Sequence, residues 1–121
     1  MPTTVNISAD AQRDVKHLKR KYPAVTGQVR KLIDQLENDE RPGDRIPAVG
    51  FDVYKVRLPN PSAQRGKSGG FRMIYYVQMT DNVYLLKVYS KTEQADISAE
   101  EIRRIAEAVL PPDDSGREQD S

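Results

Sequence analysis

The sequence predicts an α+β domain whose helices pack on one face of an antiparallel sheet. Two observations lead to this prediction. In the first third of the chain and again near its end, apolar residues recur every three or four positions, which is typical of amphipathic helices. Between residues 53 and 90 apolar and polar residues alternate instead, which is typical of strands with one buried face. The predicted order is β-α-α-β-β-β-α, in a single domain over residues 1–110.

The N-terminal part of the domain is predicted to contain one strand and two helices. Residues 3–7 are rich in β-branched side chains and predict a short strand. Ser8 is a suitable N-cap for a helix over residues 9–21. Pro23 suits the first turn of a second helix, and that helix must end near Asn38 because an Arg-Pro-Gly-Asp turn follows. Two helices joined this closely form an antiparallel hairpin.

The rest of the domain is predicted to contain three strands and a final helix. Residues 53–58 form the first strand, which a Pro-Asn-Pro sequence ends. Residues 71–79 and 83–90 form the second and third strands, and the Thr-Asp-Asn sequence between them is suited to a hairpin turn. Ser98 and Glu101 have the spacing of a capping box, so they begin the last helix, which ends before two prolines.

The charged residues are segregated along the chain. Its 19 basic and 18 acidic residues give a net charge of +1, so the total charge does not indicate a nucleic-acid-binding protein. Residues 111–121 hold four acidic residues, one basic residue and two prolines, which predicts a disordered acidic tail. Residues 54–91, in contrast, hold seven basic residues and one acidic residue. The strands of the domain are therefore strongly positive.

Strand alternation predicts where these cations point, because successive side chains face opposite sides of a sheet. The cations predicted to share the uncovered face are Lys55, Arg57, Arg72, Lys87 and Lys91. Tyr76 and Tyr89 have the same parity. Cations interleaved with tyrosines suit RNA, whose bases stack on aromatic rings. The alternative is the ordinary wetted face of an antiparallel sheet, although such a face usually mixes charges of both signs.

Several classes of protein are excluded by residue usage. The chain has no cysteine, and His17 is its only histidine, so thiol chemistry and histidine-rich metal sites are excluded. A glycine-rich sequence at residues 65–70 is similar to a phosphate loop, but Pro61 occupies a required glycine position and a strand follows. We therefore expect no nucleotide, metal or other cofactor. Without an apolar span or a signal pattern, we expect a cytoplasmic protein with no membrane partner.

Three motifs of the positive segment resemble a known family. They are Tyr-Lys-Val-Arg-Leu at residues 54–58, Arg-Gly-Lys-Ser-Gly-Gly-Phe-Arg-Met-Ile-Tyr-Tyr at residues 65–76, and Leu-Lys-Val-Tyr-Ser-Lys-Thr-Glu at residues 86–93. In this combination the chain resembles, over residues 3–110, the RelE/HigB toxins of bacterial type II toxin–antitoxin modules, within the RelE/ParE superfamily. The resemblance implies two N-terminal helices, an antiparallel sheet and a C-terminal helix, which agrees with the element order predicted above.

The resemblance also implies a function and a set of site residues. It implies a ribosome-dependent endoribonuclease that cleaves mRNA by attack of the ribose 2′-hydroxyl on the adjacent phosphate, without a metal. Arg72 matches the arginine expected at the scissile phosphate, and Lys55 is a candidate base. Glu93 is a candidate to orient Lys91 or relay a proton. The catalytic candidates are Arg72, Lys55, Lys91, Glu93 and Tyr89. The RNA-binding candidates are Arg57, Arg65, Lys67, Lys87 and Tyr76.

The resemblance leaves two other functions open. Well-studied RelE proteins have an arginine and a tyrosine where this chain has Thr92 and Ser98, so the proton donor is unassigned, with Tyr89 or Tyr76 as candidates. One alternative is therefore a degenerate module that only binds its antitoxin. The other is a ParE-like gyrase inhibitor, which would not need clustered cations on the sheet. The implied partners are a cognate antitoxin, commonly a DNA-binding protein, together with the ribosome and mRNA.

Overall fold

The computed structural model describes residues 3–47, 49–59, 70–91, 93 and 96–109. Three helices and a five-stranded sheet confirm the α+β class. The elements in chain order are β1 (Thr4–Ile7), α1 (Ala9–Lys21), α2 (Val25–Glu37), β2 (Asp44–Arg45), β3 (Val53–Leu58), β4 (Phe71–Met79), β5 (Asn82–Ser90) and α3 (Ala99–Val109). The predicted order is confirmed, except that the sequence did not predict β2, a strand of two residues.

Two predicted features lie outside the described residues. One is the glycine-rich loop with Arg65 and Lys67, and the other is the acidic tail at residues 111–121. Within the described ranges, no helix has the length and apolar character needed to cross a membrane.

The sheet has the strand order β1-β5-β4-β3-β2. The strands from β2 to β5 pair antiparallel, while β1 pairs parallel with β5. The register places Arg72 of β4 directly between Arg57 of β3 and Tyr89 of β5. Three side chains from three neighbouring strands therefore form one row across the sheet, which we call the cationic row.

Helices cover both faces of the sheet, so the prediction that all helices lie on one face is wrong for α3. One core lies between the sheet and the α1–α2 hairpin. Its buried members include Ala11, Leu18, Val25, Leu32, Leu36, Val56, Phe71, Met73, Tyr75, Val83, Leu85 and Val88. A second core lies on the opposite face under α3. Its buried members include Val53, Ile74, Tyr76, Leu86, Tyr89, Ile97, Ile102, Ile105 and Ala106. The predicted uncovered face is thus partly covered.

A register shift changes the alternation of side chains part of the way along β5. Ile74 pairs with Lys87, but the next residue of β4 pairs with Leu85, so Leu86 is an extra residue in β5. Such a bulge reverses the alternation of side chains beyond it. Leu85 and Val88 therefore share the α1–α2 core, whereas Leu86 lies in the α3 core. Because two adjacent leucines are both buried, the apolar pattern does not reveal the shift.

Ser8 joins helix α1 to the sheet. Its hydroxyl accepts a hydrogen bond from the Ala11 N–H at 3.0 Å and donates one to the Leu86 carbonyl oxygen at 2.9 Å. We expect Ser8→Ala to lower the free energy of unfolding by about 2 kcal/mol, because it removes an N-cap and a buried hydrogen bond. Ser98→Ala is the matched control, since Ser98 caps α3 through one exposed bond to the Glu101 N–H. Urea unfolding measures both, and a smaller loss for Ser8→Ala than for Ser98→Ala would contradict the expectation.

Candidate functional site

Arg72 is the central residue of the cationic row and is nearly buried. Only 7% of its surface is exposed, and its guanidinium donates a hydrogen bond of 3.4 Å to the Phe71 carbonyl oxygen. Among the residues that the structure describes, no carboxylate lies within ion-pair distance of Arg72. A desolvated guanidinium without a counter-charge is unfavourable, and a phosphate or carboxylate supplies both the charge and the planar acceptor geometry that it lacks. This arrangement is suited to binding an anion.

Arg57 extends the positive charge to the surface. It pairs with Arg72 across β3 and β4, but its side chain is exposed. Within the described part of the chain, Arg57 also has no ion-pair partner. Two guanidinium groups on adjacent strands, one buried and one exposed, give this end of the sheet face a strong attraction for a polyanion.

Asp96 lies beside this row, and sequence reasoning missed it. Its Oδ1 atom is 3.5 Å from the Lys55 ammonium nitrogen and accepts hydrogen bonds from the Tyr89 hydroxyl at 3.3 Å and the Ile97 N–H at 2.8 Å. The Ile97 N–H, together with Lys55 and Tyr89, lowers the pKa of Asp96 against the opposing effect of burial. The only sequence signal is an acidic residue shortly after a cationic strand.

A glycine sets the path of the strand that carries Lys55. Gly43 has a φ of +90°, and a Cβ at this position would collide with the carbonyl oxygen of Lys55. Only glycine fits both the positive φ and the close backbone approach. The turn before β2 therefore packs directly against β3 at the position of the candidate site.

The hydroxyl of Tyr89 is held in its protonated form. Burial raises the pKa of Tyr89 to about 12, and the charge and hydrogen bond of Asp96 act in the same direction, while Arg72 opposes them. At neutral pH this hydroxyl is therefore a proton donor. The residue is only 4% exposed, so its ring does not offer a face on which a base could stack. Tyr89 is thus placed as a polar group of the site and not as the stacking platform that strand parity suggested.

We expect the Tyr89 hydroxyl to titrate near pH 12 and not near pH 10. Because the folded state binds this proton more tightly than the unfolded state, its contribution to stability is present below pH 10 and is lost as the pH rises to 12. Tyrosine labelled with ¹³C at Cζ, with the resonance assigned through Tyr89→Phe, measures the midpoint by NMR. A midpoint at or below pH 10 would show that Tyr89 is not buried beside Asp96 as the structure places it.

Lys87 has the predicted parity, because it pairs with Ile74 of β4, but its charge is held by α1. Its ammonium is 3.2 Å from Asp14 of α1, and only 16% of its side chain is exposed. Asp14 also accepts a hydrogen bond from the Val88 N–H. Burial raises the pKa of Asp14, while this hydrogen bond and the charge of Lys87 lower it. The ion pair with α1, and not the strand parity, removes Lys87 from the predicted RNA-binding surface. Lys87 ties β5 to α1 in this structure.

Tyr76 is not available to stack on RNA bases. It is 8% exposed and lies in the α3 core. Its ring packs edge-to-face on Phe51, with centroids 5.2 Å apart, and is stacked with Tyr84. The predicted RNA-binding role of Tyr76 rested on an uncovered sheet face, and α3 covers this part of it.

The two predicted residues after β5 are placed differently from each other. Glu93 faces α1, where it is 3.5 Å from Lys21 and 3.9 Å from His17. Its described contacts are therefore with the helix and not with Lys91. Lys91 is exposed at the end of β5, and its backbone N–H donates to the Gly70 carbonyl oxygen. The side chain of His17 is 75% exposed.

The chain matches a known protein family over most of its length. A family model described as the RelE toxin of the RelE/RelB toxin–antitoxin system matches residues 11–111. This interval contains every described element except β1 and the first residues of α1.

Proposed function

Since the chain belongs to the RelE toxin family and is therefore a toxin of a toxin–antitoxin system, we propose that it is a ribosome-dependent endoribonuclease that cleaves mRNA and so inhibits translation. The observation that carries the proposal is Arg72, a nearly buried guanidinium with no described carboxylate partner, between Arg57 and Tyr89 on one sheet face. The reaction is attack of a ribose 2′-hydroxyl on the adjacent phosphate.

The cations of the site stabilise the phosphate during this attack. Arg72 binds the non-bridging oxygens of the scissile phosphate, where negative charge grows in the transition state. Arg57, exposed on the neighbouring strand, binds the same or the next phosphate. Lys55 completes the group from the same face of β3. Because these side chains are already positioned in the fold, they can supply charge stabilisation without a metal or cofactor.

Proton transfer and RNA positioning are assigned to the residues around this group. Tyr89, protonated at neutral pH, donates a proton to the leaving 5′-oxygen. Lys91 and the loop residues Arg65 and Lys67 bind the RNA backbone. Glu93, through its contacts with α1, anchors the segment that follows Lys91.

The second partner is a protein. RelE toxins pair with an antitoxin, and we propose that the antitoxin of this chain is a DNA-binding protein in the cytoplasm. Acidic residues of the antitoxin would cover the cationic row, since a carboxylate can fill the same position as a phosphate. The antitoxin and mRNA would then compete for Arg72.

The test is to express the chain without a partner and to map the 5′ ends of cellular mRNA. If the chain is a ribosome-dependent nuclease, we expect growth arrest and cuts in translated mRNA at a fixed position relative to the codons. Growth arrest with intact mRNA and damaged DNA would reject the nuclease function and support gyrase inhibition. Normal growth with intact mRNA would instead favour a module that only binds its antitoxin.

A further inference from the structure

The proposed cleavage needs an unprotonated group that takes the proton of the 2′-hydroxyl. His17 belongs to α1, which packs on the opposite face of the sheet, and Glu93 is held by the same helix. Lys55 is paired with a carboxylate, and as an ammonium it has no free lone pair. The candidates suggested by the sequence therefore leave this role unfilled.

Asp96 has the position and the accessibility that the role requires. Its side chain is 67% exposed, although one of its oxygens binds both Lys55 and Tyr89. Lys55 from β3 and Tyr89 from β5 are titratable groups that face Asp96. Since Tyr89 is the neighbour of Arg72 in the cationic row, the carboxylate stands next to the proposed phosphate position. Its lowered pKa keeps it ionised at neutral pH.

We propose that the Asp96 carboxylate is the general base of the cleavage, an inference that rests on the proposed nuclease function. The 2′-hydroxyl proton moves to Asp96 while the 2′-oxygen forms a bond to phosphorus. The bond between phosphorus and the 5′-oxygen breaks, and this oxygen takes the Tyr89 proton. The products are a 2′,3′-cyclic phosphate and a 5′-hydroxyl.

The hydrogen bond between Tyr89 and Asp96 then restores both groups. After the step Asp96 holds an extra proton and Tyr89 lacks one, and the 3.3 Å hydrogen bond joins their oxygens. Transfer of the proton from Asp96 to Tyr89 returns the site to its starting state without any other reactant. Lys55 stays an ammonium throughout and contributes its charge.

The test is Asp96→Asn, measured by single-turnover cleavage of mRNA on ribosomes between pH 6 and pH 8. Asparagine keeps the oxygen that accepts from Ile97 and Tyr89 but cannot take a proton at these pH values. We expect a rate at saturating toxin at least about 100-fold lower, with unchanged affinity for the ribosome–mRNA complex. The wild-type rate should be flat with pH, while that of the variant should rise roughly tenfold per pH unit as hydroxide replaces the base.

Two further variants complete the test. Asp96→Glu restores a carboxylate and should cleave at least about tenfold faster than Asp96→Asn. It also tests the proposal if Asp96→Asn does not fold. Asp81→Asn, which alters an exposed acid in the β4–β5 turn, should cleave like the wild type. If the wild type is active and Asp96→Asn keeps the flat pH profile, Asp96 is not the general base, although the proposed nuclease function still holds. A wild type that cleaves no mRNA on ribosomes would overturn both.

Discussion

Arg72→Ala is expected to lower mRNA cleavage by about 10²- to 10³-fold and to abolish growth arrest. The guanidinium is the one nearly buried cation of the described sheet that has no carboxylate partner, so its loss removes charge stabilisation that no neighbour can replace. Arg72→Lys should keep a smaller part of the rate, because an ammonium supplies charge without the two parallel hydrogen bonds of a guanidinium. Cleavage on purified ribosomes, followed by mapping of 5′ ends, measures these rates.

The control for this experiment is Arg45→Ala. Arg45 lies on β2, its side chain is 60% exposed, and it pairs with Asp52 at 2.8 Å. An exposed ion pair contributes little to stability, so this variant should cleave and arrest growth like the wild type. Circular dichroism and urea unfolding show whether the Arg72 variants fold. A folded Arg72→Ala protein that cleaves at the wild-type rate would remove the main support for the proposed function.

Phe71→Ala is expected to cost about 3–5 kcal/mol of the free energy of unfolding. Phe71 is fully buried next to Arg72, and its ring meets that of Tyr22 edge-to-face with centroids 6.0 Å apart. It pairs with Leu58 on one side and Ser90 on the other, so its removal leaves a cavity where three strands meet α1. For a domain of this size, the loss is a large fraction of the total stability.

Urea unfolding of three variants checks this expectation. Phe71→Leu keeps much of the apolar volume and should cost clearly less than the alanine change. Met79→Ala alters a side chain that is 59% exposed at the end of the same strand, so it should stay within about 0.5 kcal/mol of the wild type. Equal losses for Phe71→Ala and Met79→Ala would show that the core does not lie where the structure places it.

Local patterns were sufficient to predict most elements. The predicted helix over residues 9–21 and the strands over residues 53–58 and 71–79 match the structure, because periodicity and caps depend on neighbours in the chain. The capping role of Ser98 is also confirmed by its bond to the Glu101 N–H. The short strand β2 was missed because two exposed residues carry no periodic signal.

The candidate site was predictable only in part. Alternation in β3 and β4 placed Lys55, Arg57 and Arg72 on one face, and the structure confirms this placement. The same reasoning predicted that Lys87 is available on this face, but its ammonium pairs with Asp14 of α1, a contact that strand alternation cannot predict. Alternation also assumes that the strands pair without interruption. The extra residue Leu86 cannot be recognised in the sequence, because it and its neighbour Leu85 are both apolar.

By itself, the sequence determined the fold class and the concentration of cations on β3 and β4, since both follow from residue type and spacing along the chain. The tertiary structure decided which cations remain without a carboxylate. It also decided that α3 covers Tyr76 and that Asp96 meets Lys55, a residue far from it in the chain. The physical reason is that such contacts depend on how α3 packs on the sheet, and packing is set by the whole core and not by any local pattern.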